Sequence, residues 1–564
     1  MAHETSPRLP TLEWDDVDAE AEDSPALVRV PGAHAKSVTD AVLACVAEAL
    51  EVAGVEHFLV ASSRSGSRLG LPEQAVPQAM EALAQLGARC PVQVALRTSA
   101  GGSWRGLARD LPEPGALAEA SPDDGETSAP PPTASDDEAG HENDAAGRVT
   151  PPASSDPGAQ AAEEVGVERL VVFADVLDPA SGLQLGSKQG CVLAPWRQDE
   201  AGGLHALEAT PRTEDLTAED RARPQLVEGE VAVTSVPPFT EPDVFEVRFE
   251  VDAVVLWVDG SDPQWRAARD QRRAELGLPP DGQGQEEFLY DDHGELRYLL
   301  RSIEQYAPWL RRIHLVTAGQ RPSWLREDHP RLRLVDHADI IEAEALPVFS
   351  PRPITARMHR IEGLSEQFLY FNDDMVLARS LDPELFFTSQ GQSRFFLSKA
   401  TVPRASSDIA HLGARQVMQR LIAERYGVHV SRTFRHAPYA LRRSTLELLE
   451  ERFGEAVTST VHRPFRSPED IVPEWLHHYV GYCEGRALPG SIAYGYFPIG
   501  RERTLDDLDR LLTNRNLDCF CLNDLGDGEA GGRGAIHERL ERLFPLASAF
   551  EADAAETPGG GAGS

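Results

Sequence analysis

Three acidic clusters each close an apolar run: Asp259 and Asp262 in "WVDGSD", Asn372, Asp373 and Asp374 in "YFNDD", and Asn523 and Asp524 in "CLND". Carboxylates drawn close together repel unless protons or a cation intervene. Hard divalent ions take carboxylate and phosphate oxygens, so acids gathered in one place point to a metal ion and a phosphorylated substrate. Taken singly, each acid reads as a turn residue capping backbone N–H groups. Three such ends within one segment favour a shared site. Two other stretches add complementary groups. "FRHAPYALRRS" sets His436 between a basic residue and a proline-stiffened turn, and histidine suits proton transfer near neutral pH. "HRPFRSPEDIVPEW" offers Arg463 and Arg466 ahead of Ser467, Glu469 and Asp470, and the guanidinium fork matches phosphoryl oxygens. His477 and His478 read as helix-surface or packing residues.

These groups need a frame. "AVVLWV", 253–258, is a continuous apolar run, the pattern of a strand covered on both faces in a parallel sheet. Asp292 and Glu295 have capping-box spacing, and Leu296, Leu299, Leu300, Ile303 and Tyr306 follow at helical intervals up to Pro308. "RIHLVTAG", "RLRLVDH" and "QFLYFNDD" read as strands, "ARMHRIEGLSE" as a short helix ending near Gly363, "LDDLDRLLTNRN" as a helix and "DCFCLND" as one more strand. Alternation of this kind predicts an α/β catalytic core, Rossmann-like with a mostly parallel sheet. Ligands of such sheets gather at the carboxyl ends of the strands.

The rest of the chain divides by composition. Residues 1–24 read as a disordered N-terminus, 25–109 as a small α/β accessory domain, and 110–164 as a disordered acidic linker rich in Pro, Ser and Ala. Residues 165–246 form a β-rich segment packed on the core, 247–545 the catalytic domain and 546–564 a flexible tail. The formal net charge of −37 over 564 residues argues against nucleic-acid partners, which need exposed positive charge. The N-terminus lacks a signal-peptide pattern and no apolar run reaches about 18 residues. The expectation is a cytoplasmic protein without a transmembrane segment, peripheral to membranes at most, with a homodimer left open. Six scattered cysteines make no disulfide framework, and the thiols of "CFC", 519–521, read as core packing.

"VVLWVDGSDP", "GELRYLLRSIEQYAPWLRRIHLVTAGQRPSWL", "HRIEGLSEQFLYFNDDMVL", "RHAPYALRR", "FRSPEDI" and "CFCLND" occur in this order, and together they resemble the regions shared by Stealth proteins. That family includes bacterial capsular-polysaccharide phosphotransferases and the animal N-acetylglucosamine-1-phosphotransferase of lysosomal-enzyme tagging. The resemblance covers about half the chain, roughly 247–530. It implies transfer of a sugar-1-phosphate, such as N-acetylglucosamine-1-phosphate, from a UDP-sugar donor to a hydroxyl of a carbohydrate acceptor, releasing UMP, in cell-surface or capsular polysaccharide synthesis. By the same resemblance the active-site residues fall on Asp374, His436, Arg466 and Asp524. Asp259, Gly260, Ser261, Asp262, Asn372 and Asp373 would bind the nucleotide-sugar, and Asp374 and Asp524 would hold Mg²⁺ or Mn²⁺. Where many members have a glutamate and a second histidine in an "IE-H-H" stretch, this sequence reads "ITARMHRIEG". Thr355 and Arg357 stand at those places, and His359 is retained. Two rival readings share the frame: a metal-dependent glycosyltransferase releasing UDP, and a catalytically silent carbohydrate-binding relative.

Overall fold

The computed structural model describes residues 27–30, 35–60, 66–99, 102–112, 167–179, 184–210, 212–227, 231–279, 290, 292–326, 328–402, 409–499, 501–514, 516–523 and 530–552. The expected disordered N-terminus 1–24, nearly all of the 110–164 linker, most of the 546–564 tail and Asp524 lie outside these residues.

Helices Ala35–Val52 and Val76–Gly87 bury Val38, Val42, Val46, Leu50, Ala79 and Leu83 against an eight-stranded sheet. The sequence reading kept 25–109 and 165–246 apart, and here it needs correction. Ser67–Pro72 pairs parallel with Cys191–Gln198, and Gln93–Thr98 pairs antiparallel with Val167–Phe173. The reason is burial: Leu69, Leu71, Val94 and Leu96 from the first half share one core with Leu170, Val172 and Leu193 from the second. The later segment therefore completes the sheet of the N-terminal unit, and it also meets the catalytic part through Lys188, whose Nζ donates to Asn514 Oδ1 at 2.8 Å.

In the catalytic part the elements that carry the site are, in chain order, β1 (Val251–Leu256), α1 (Pro263–Glu275), α2 (Glu295–Tyr306), β2 (Ile313–Thr317), β3 (Leu332–Asp336), β4 (Gln367–Asn372), β5 (Met375–Leu377), α3 (Ala410–Tyr426), β6 (Tyr439–Arg442), α4 (Arg443–Arg452), α5 (Pro473–Cys483), β7 (Tyr494–Pro498) and β8 (Cys519–Asn523). All six residues of β1 are buried, as a central strand requires. The five-stranded sheet runs β3-β2-β1-β4-β6; the first four strands are parallel and β6 lies antiparallel on the edge. Because β2 and β3 follow β1 to one side and β4 lies on the other, the strand order reverses between β1 and β4. Their carboxyl ends are level, with Leu256 opposite Asn372, and a crevice opens at such a reversal.

Helix α2 buries Leu296, Tyr298, Leu299, Leu300, Ile303 and Tyr306, packing beside β5 and setting Tyr298 and Tyr306 against Phe544. Each such side chain contributes about 1.5–3 kcal/mol on leaving water. A second sheet has the order β5-β8-β7, with β8 antiparallel to β5 and parallel to β7. Met375 faces Cys521 across it, and the Leu522 N–H donates to the Asp374 carbonyl at 2.9 Å. The third acidic strand end thus arrives beside the second. The expected helix over "ARMHRIEGLSE" shrinks to a tight turn at Met358–Arg360, which follows the separate helix Pro351–Thr355, and Arg357 between the two leaves helical geometry (φ −116°, ψ 3°).

Candidate active site

Asp374 sits in the turn between β4 and β5, where two parallel strand ends and the end of β8 meet. Its Oδ2 accepts a hydrogen bond from the Cys521 thiol at 3.2 Å, while Oδ1 is buried without a hydrogen-bond partner. Burial pushes its carboxyl up to about 6. Asp373 beside it is raised well above the usual carboxylate range by burial, then by the charges of Asp374, Glu295 and Asp292. The last two come from the start of α2. Asn372 accepts a hydrogen bond from the Tyr370 hydroxyl, which fixes the loop from the strand side. The "CFC" thiols are both buried as expected, and the Cys521 thiol in addition orients the Asp374 carboxylate.

The capping-box reading of Asp292 and Glu295 needs correction. Gly294, at φ +82°, turns the chain so sharply that the helix begins at Glu295 itself. Asp292 instead accepts from the Gly294 N–H at 2.8 Å and from the Trp257 indole at 3.2 Å, linking the end of β1 to the start of α2. Glu295 reaches back to the His293 N–H at 2.8 Å, and burial pushes its carboxyl up to about 8. A raised carboxyl pKa makes the folded state prefer the protonated form. Its stabilising contribution is complete below the usual value of 4.5 and is lost as pH rises through about 8. Glu295→Gln is therefore expected to leave the thermal midpoint nearly unchanged near pH 5 and to raise it near pH 8.5. A midpoint lowered at the higher pH would show that the fold compensates the ionised carboxylate.

The opposite side is cationic. Half-buried His436 stands edge-on to Tyr496, with ring centroids 5.9 Å apart. Burial, then the charge of Arg415, lowers its pKa below the ordinary histidine value, so the imidazole is neutral and basic at neutral pH. The Tyr496 hydroxyl accepts from Asn523 at 2.8 Å and feels the charge of Asp374, placing His436, the end of β8 and Asp374 around one space. Arg415, on α3, holds its guanidinium 4.8 Å from the Trp475 ring centre. Among the described residues no carboxylate pairs with it. Arg463 is tied to Glu469 at 2.7 Å and Asp470 at 3.4 Å, and Arg352 to Asp470 at 2.8 Å. These pairs brace the loop carrying Arg466, which is exposed and whose charge acts on Glu474 and His411.

The "DGSD" turn is locally employed. Asp259 accepts from the Ser261 N–H at 2.8 Å and hydroxyl at 2.6 Å, and Asp262 caps α1 through the Gln264 N–H at 2.8 Å. Hydrogen bonds from Gln320 and Gln264 hold Asp262 below its usual range. A Cβ on Gly260 would lie 2.3 Å from the Tyr290 carbonyl, so only glycine allows that approach. The turn sits at the rim, level with Asn372 through the β1–β4 register, yet among the described residues no hydrogen bond joins it to Asp373 or Asp374. His477 and His478 are packing residues, both buried, and His477 Nε2 accepts from the Arg442 N–H at 2.8 Å.

Thr355 and Arg357 part company. Arg357 is buried and pairs with Glu342 at 2.9 Å and Glu450 at 3.6 Å, while His359 bonds Glu450 at 2.9 Å. Both therefore clamp α4 to the chain before β4. Thr355 instead lies beside Glu474, on the first turn of α5. Glu295 was legible only as a cap, and Arg415 and Glu474 escaped the sequence reading. Each looks like an ordinary helix charge, and only the tertiary fold turns it inward.

Sequence comparison supplies the family. Models of the Stealth protein conserved regions match in chain order, region 1 over 249–277, region 2 over 289–395, region 3 over 435–481 and region 4 over 509–558. An exopolysaccharide phosphotransferase of Streptomyces coelicolor is 32% identical over 547 residues, covering 92% of this chain and 91% of that relative. The chain belongs to the Stealth protein family. A second exopolysaccharide phosphotransferase of the same organism is 38% identical over 411 residues, covering 70% of this chain and 43% of the relative. The exopolysaccharide phosphotransferase CpsY of Mycobacterium tuberculosis is 36% identical over 325 residues, 56% of this chain and 60% of the relative. The chain thus spans less than half the length of one relative and nearly all of another. Among solved structures, a galactosyltransferase LgtC in complex with donor and acceptor sugar analogs covers 53% of this chain and 97% of its own at 13% identity, with a TM-score of 0.27. In this Stealth protein, Glu295 and Asp374 fall within region 2, His436, Arg466 and Glu474 within region 3, and Arg415 between the two.

Proposed function

We propose that this chain transfers a sugar-1-phosphate, with a hexose such as N-acetylglucosamine, from a UDP-sugar to a hydroxyl of an acceptor sugar in exopolysaccharide or capsular polysaccharide synthesis. The relatives named exopolysaccharide phosphotransferases support the reaction class. The observation that carries it is the partnerless buried Oδ1 of Asp374 within a site that also holds a neutral histidine and arginines. In the proposed step the acceptor oxygen attacks the phosphorus attached to the donor sugar, the bond from that phosphorus to the UMP oxygen breaks, and UMP leaves. The acceptor proton passes to His436. Arg466 and Arg415 hold phosphoryl oxygens, where charge builds up in the transition state. The parallel sheet with its order reversal between β1 and β4 supports a Rossmann-like core, with the "DGSD" rim and Asn372 placed to meet the nucleotide.

The acids fit a hard divalent ion. Asp374 presents a carboxylate oxygen with no protein donor, and Asp373 lies beside it. Among the described residues no three His, Cys, Asp or Glu side chains group as a metal site. Mg²⁺, however, is commonly bound by one or two carboxylates together with substrate phosphates and water. Asp374 would hold it, with Asp524 as the second candidate. When bound, the ion would neutralise the diphosphate beside these carboxylates. EDTA is expected to stop turnover and Mg²⁺ or Mn²⁺ to restore it. Undiminished turnover in metal-free protein would leave the arginines as the charge stabilisers.

We place the reaction in the cytoplasm, a reducing compartment in which buried thiols such as Cys191, Cys519 and Cys521 persist. Among the described residues no helix is long and apolar enough to cross a membrane. The deciding experiment incubates the protein with a panel of nucleotide-sugars, Mg²⁺ and sugar acceptors and identifies the nucleotide released. UMP supports phosphotransfer, UDP would make the protein a glycosyltransferase, and no release across the panel would overturn the enzymatic reading.

A further inference from the structure

Glu474 is a carboxylate held by its own backbone N–H and by Thr355, with one oxygen left over. It lies on the first turn of α5, and its Oε2 is buried with no hydrogen-bond partner. Arg352, whose charge it feels, has its guanidinium committed to Asp470 at 2.8 Å and to the carbonyls of Ser467 at 2.7 Å and Ala410 at 3.2 Å. The Thr355 hydroxyl lies alongside, but its single proton is also directed to the Arg352 carbonyl at 3.2 Å. Tyr370 and Tyr439 stack on each other with ring centroids 5.7 Å apart, and both feel the charges of Glu474 and Asp374. Glu474 and Asp374 thus both act on this one tyrosine pair.

A free carboxylate oxygen near arginines that hold phosphate would repel the phosphate itself. It is suited to a neutral ligand with hydroxyl donors. We infer that Glu474 Oε2 accepts a hydrogen bond from a hydroxyl of a substrate sugar, supplying from α5 the carboxylate that Thr355 does not offer from the facing segment. The inference rests on the sugar-phosphate reading for the identity of the ligand, and its sources are two: the hexose of the donor or the acceptor sugar.

The test is binding, independent of turnover. N-acetylglucosamine and UDP-N-acetylglucosamine are titrated separately into the full-length protein and into Glu474→Gln, Glu474→Ala and the exchange variant Thr355→Glu/Glu474→Ala, with thermal midpoints measured on each. Glu474→Gln and Glu474→Ala are expected to weaken one of the two ligands by about tenfold or more, the loss of a charge-assisted hydrogen bond. The exchange variant is expected to recover most of that affinity. Weakened monosaccharide assigns the contact to the acceptor, and weakened nucleotide-sugar alone assigns it to the donor hexose. Affinities within twofold of wild type for both ligands in Glu474→Gln overturn the inference. So does absence of sugar binding by the wild type, or a loss that the exchange does not recover and that tracks a fallen thermal midpoint. Altered sugar binding in a protein that releases no UMP would uphold the contact while rejecting phosphotransfer.

Discussion

Asp374→Asn is expected to lower UMP release by about 10²–10³-fold, the usual cost of removing one preorganised charge from a transition state, while leaving the fold as stable as before or more so. The two halves of this expectation come from one atom. Oδ1 is buried without a partner, and burial raises the carboxyl to about 6. The folded state thus favours the protonated form: the contribution to stability is complete below the usual value of 3.8 and is lost as pH rises through about 6. Asparagine carries no charge to bury, so its thermal midpoint should match wild type near pH 4 and equal or exceed it near pH 8. Calorimetry at the two pH values together with single-turnover assay checks both. Activity within tenfold of wild type would remove Asp374 from the chemistry. A midpoint that falls near pH 8 would mean the ionised carboxylate is a structural partner.

That coupling explains what the sequence could and could not reveal. The apolar runs of β1 and β4 and the helical spacing of Leu296, Leu299, Leu300 and Ile303 are local patterns, so the strands, the helix and the acids at their ends were legible. What brings Asp374 next to Asn523 is the antiparallel pairing of β8 with β5, a contact between residues far apart in sequence that no periodicity encodes. The same holds for the N-terminal unit, whose two strand sets pair although residues 113–166 separate them in the chain. Asp292 and Glu295 show the reverse error: a correct helix, but a cap misread because the turn made by Gly294 cannot be told from spacing alone. Arg415 sits on a helix whose other arginines are surface charges, and Glu474 resembles any acid favoured in a first helical turn. Their inward direction is decided by Trp475 and by the loop that Arg352 braces. The "DGSD" acids were legible as a feature of the strand end, and in the fold they are visibly employed in shaping the turn.

His436→Ala is expected to cost about 10²–10⁴-fold in kcat, the range for loss of a positioned general base, with little change in donor affinity. The argument is electrostatic. Burial and the neighbouring Arg415 both disfavour the imidazolium, so the pKa lies below the ordinary 6.5, and the basic form persists into mildly acidic solution. The wild-type rate should therefore hold through pH 7 and fall only as pH drops through that lowered value, below the point where an exposed histidine would protonate. In His436→Ala that limb should vanish along with the rate. Arg415→Gln should move the limb toward higher pH, because one of the two causes of the shift is gone, while glutamine leaves the contact with Trp475 partly intact. Position and charge are thus separable: a base merely lost lowers kcat, whereas a base retuned displaces the profile. A His436→Ala enzyme of near wild-type kcat with the acid limb retained would transfer the role of base to another group, and Asp374, with a carboxyl near 6, would be first in line.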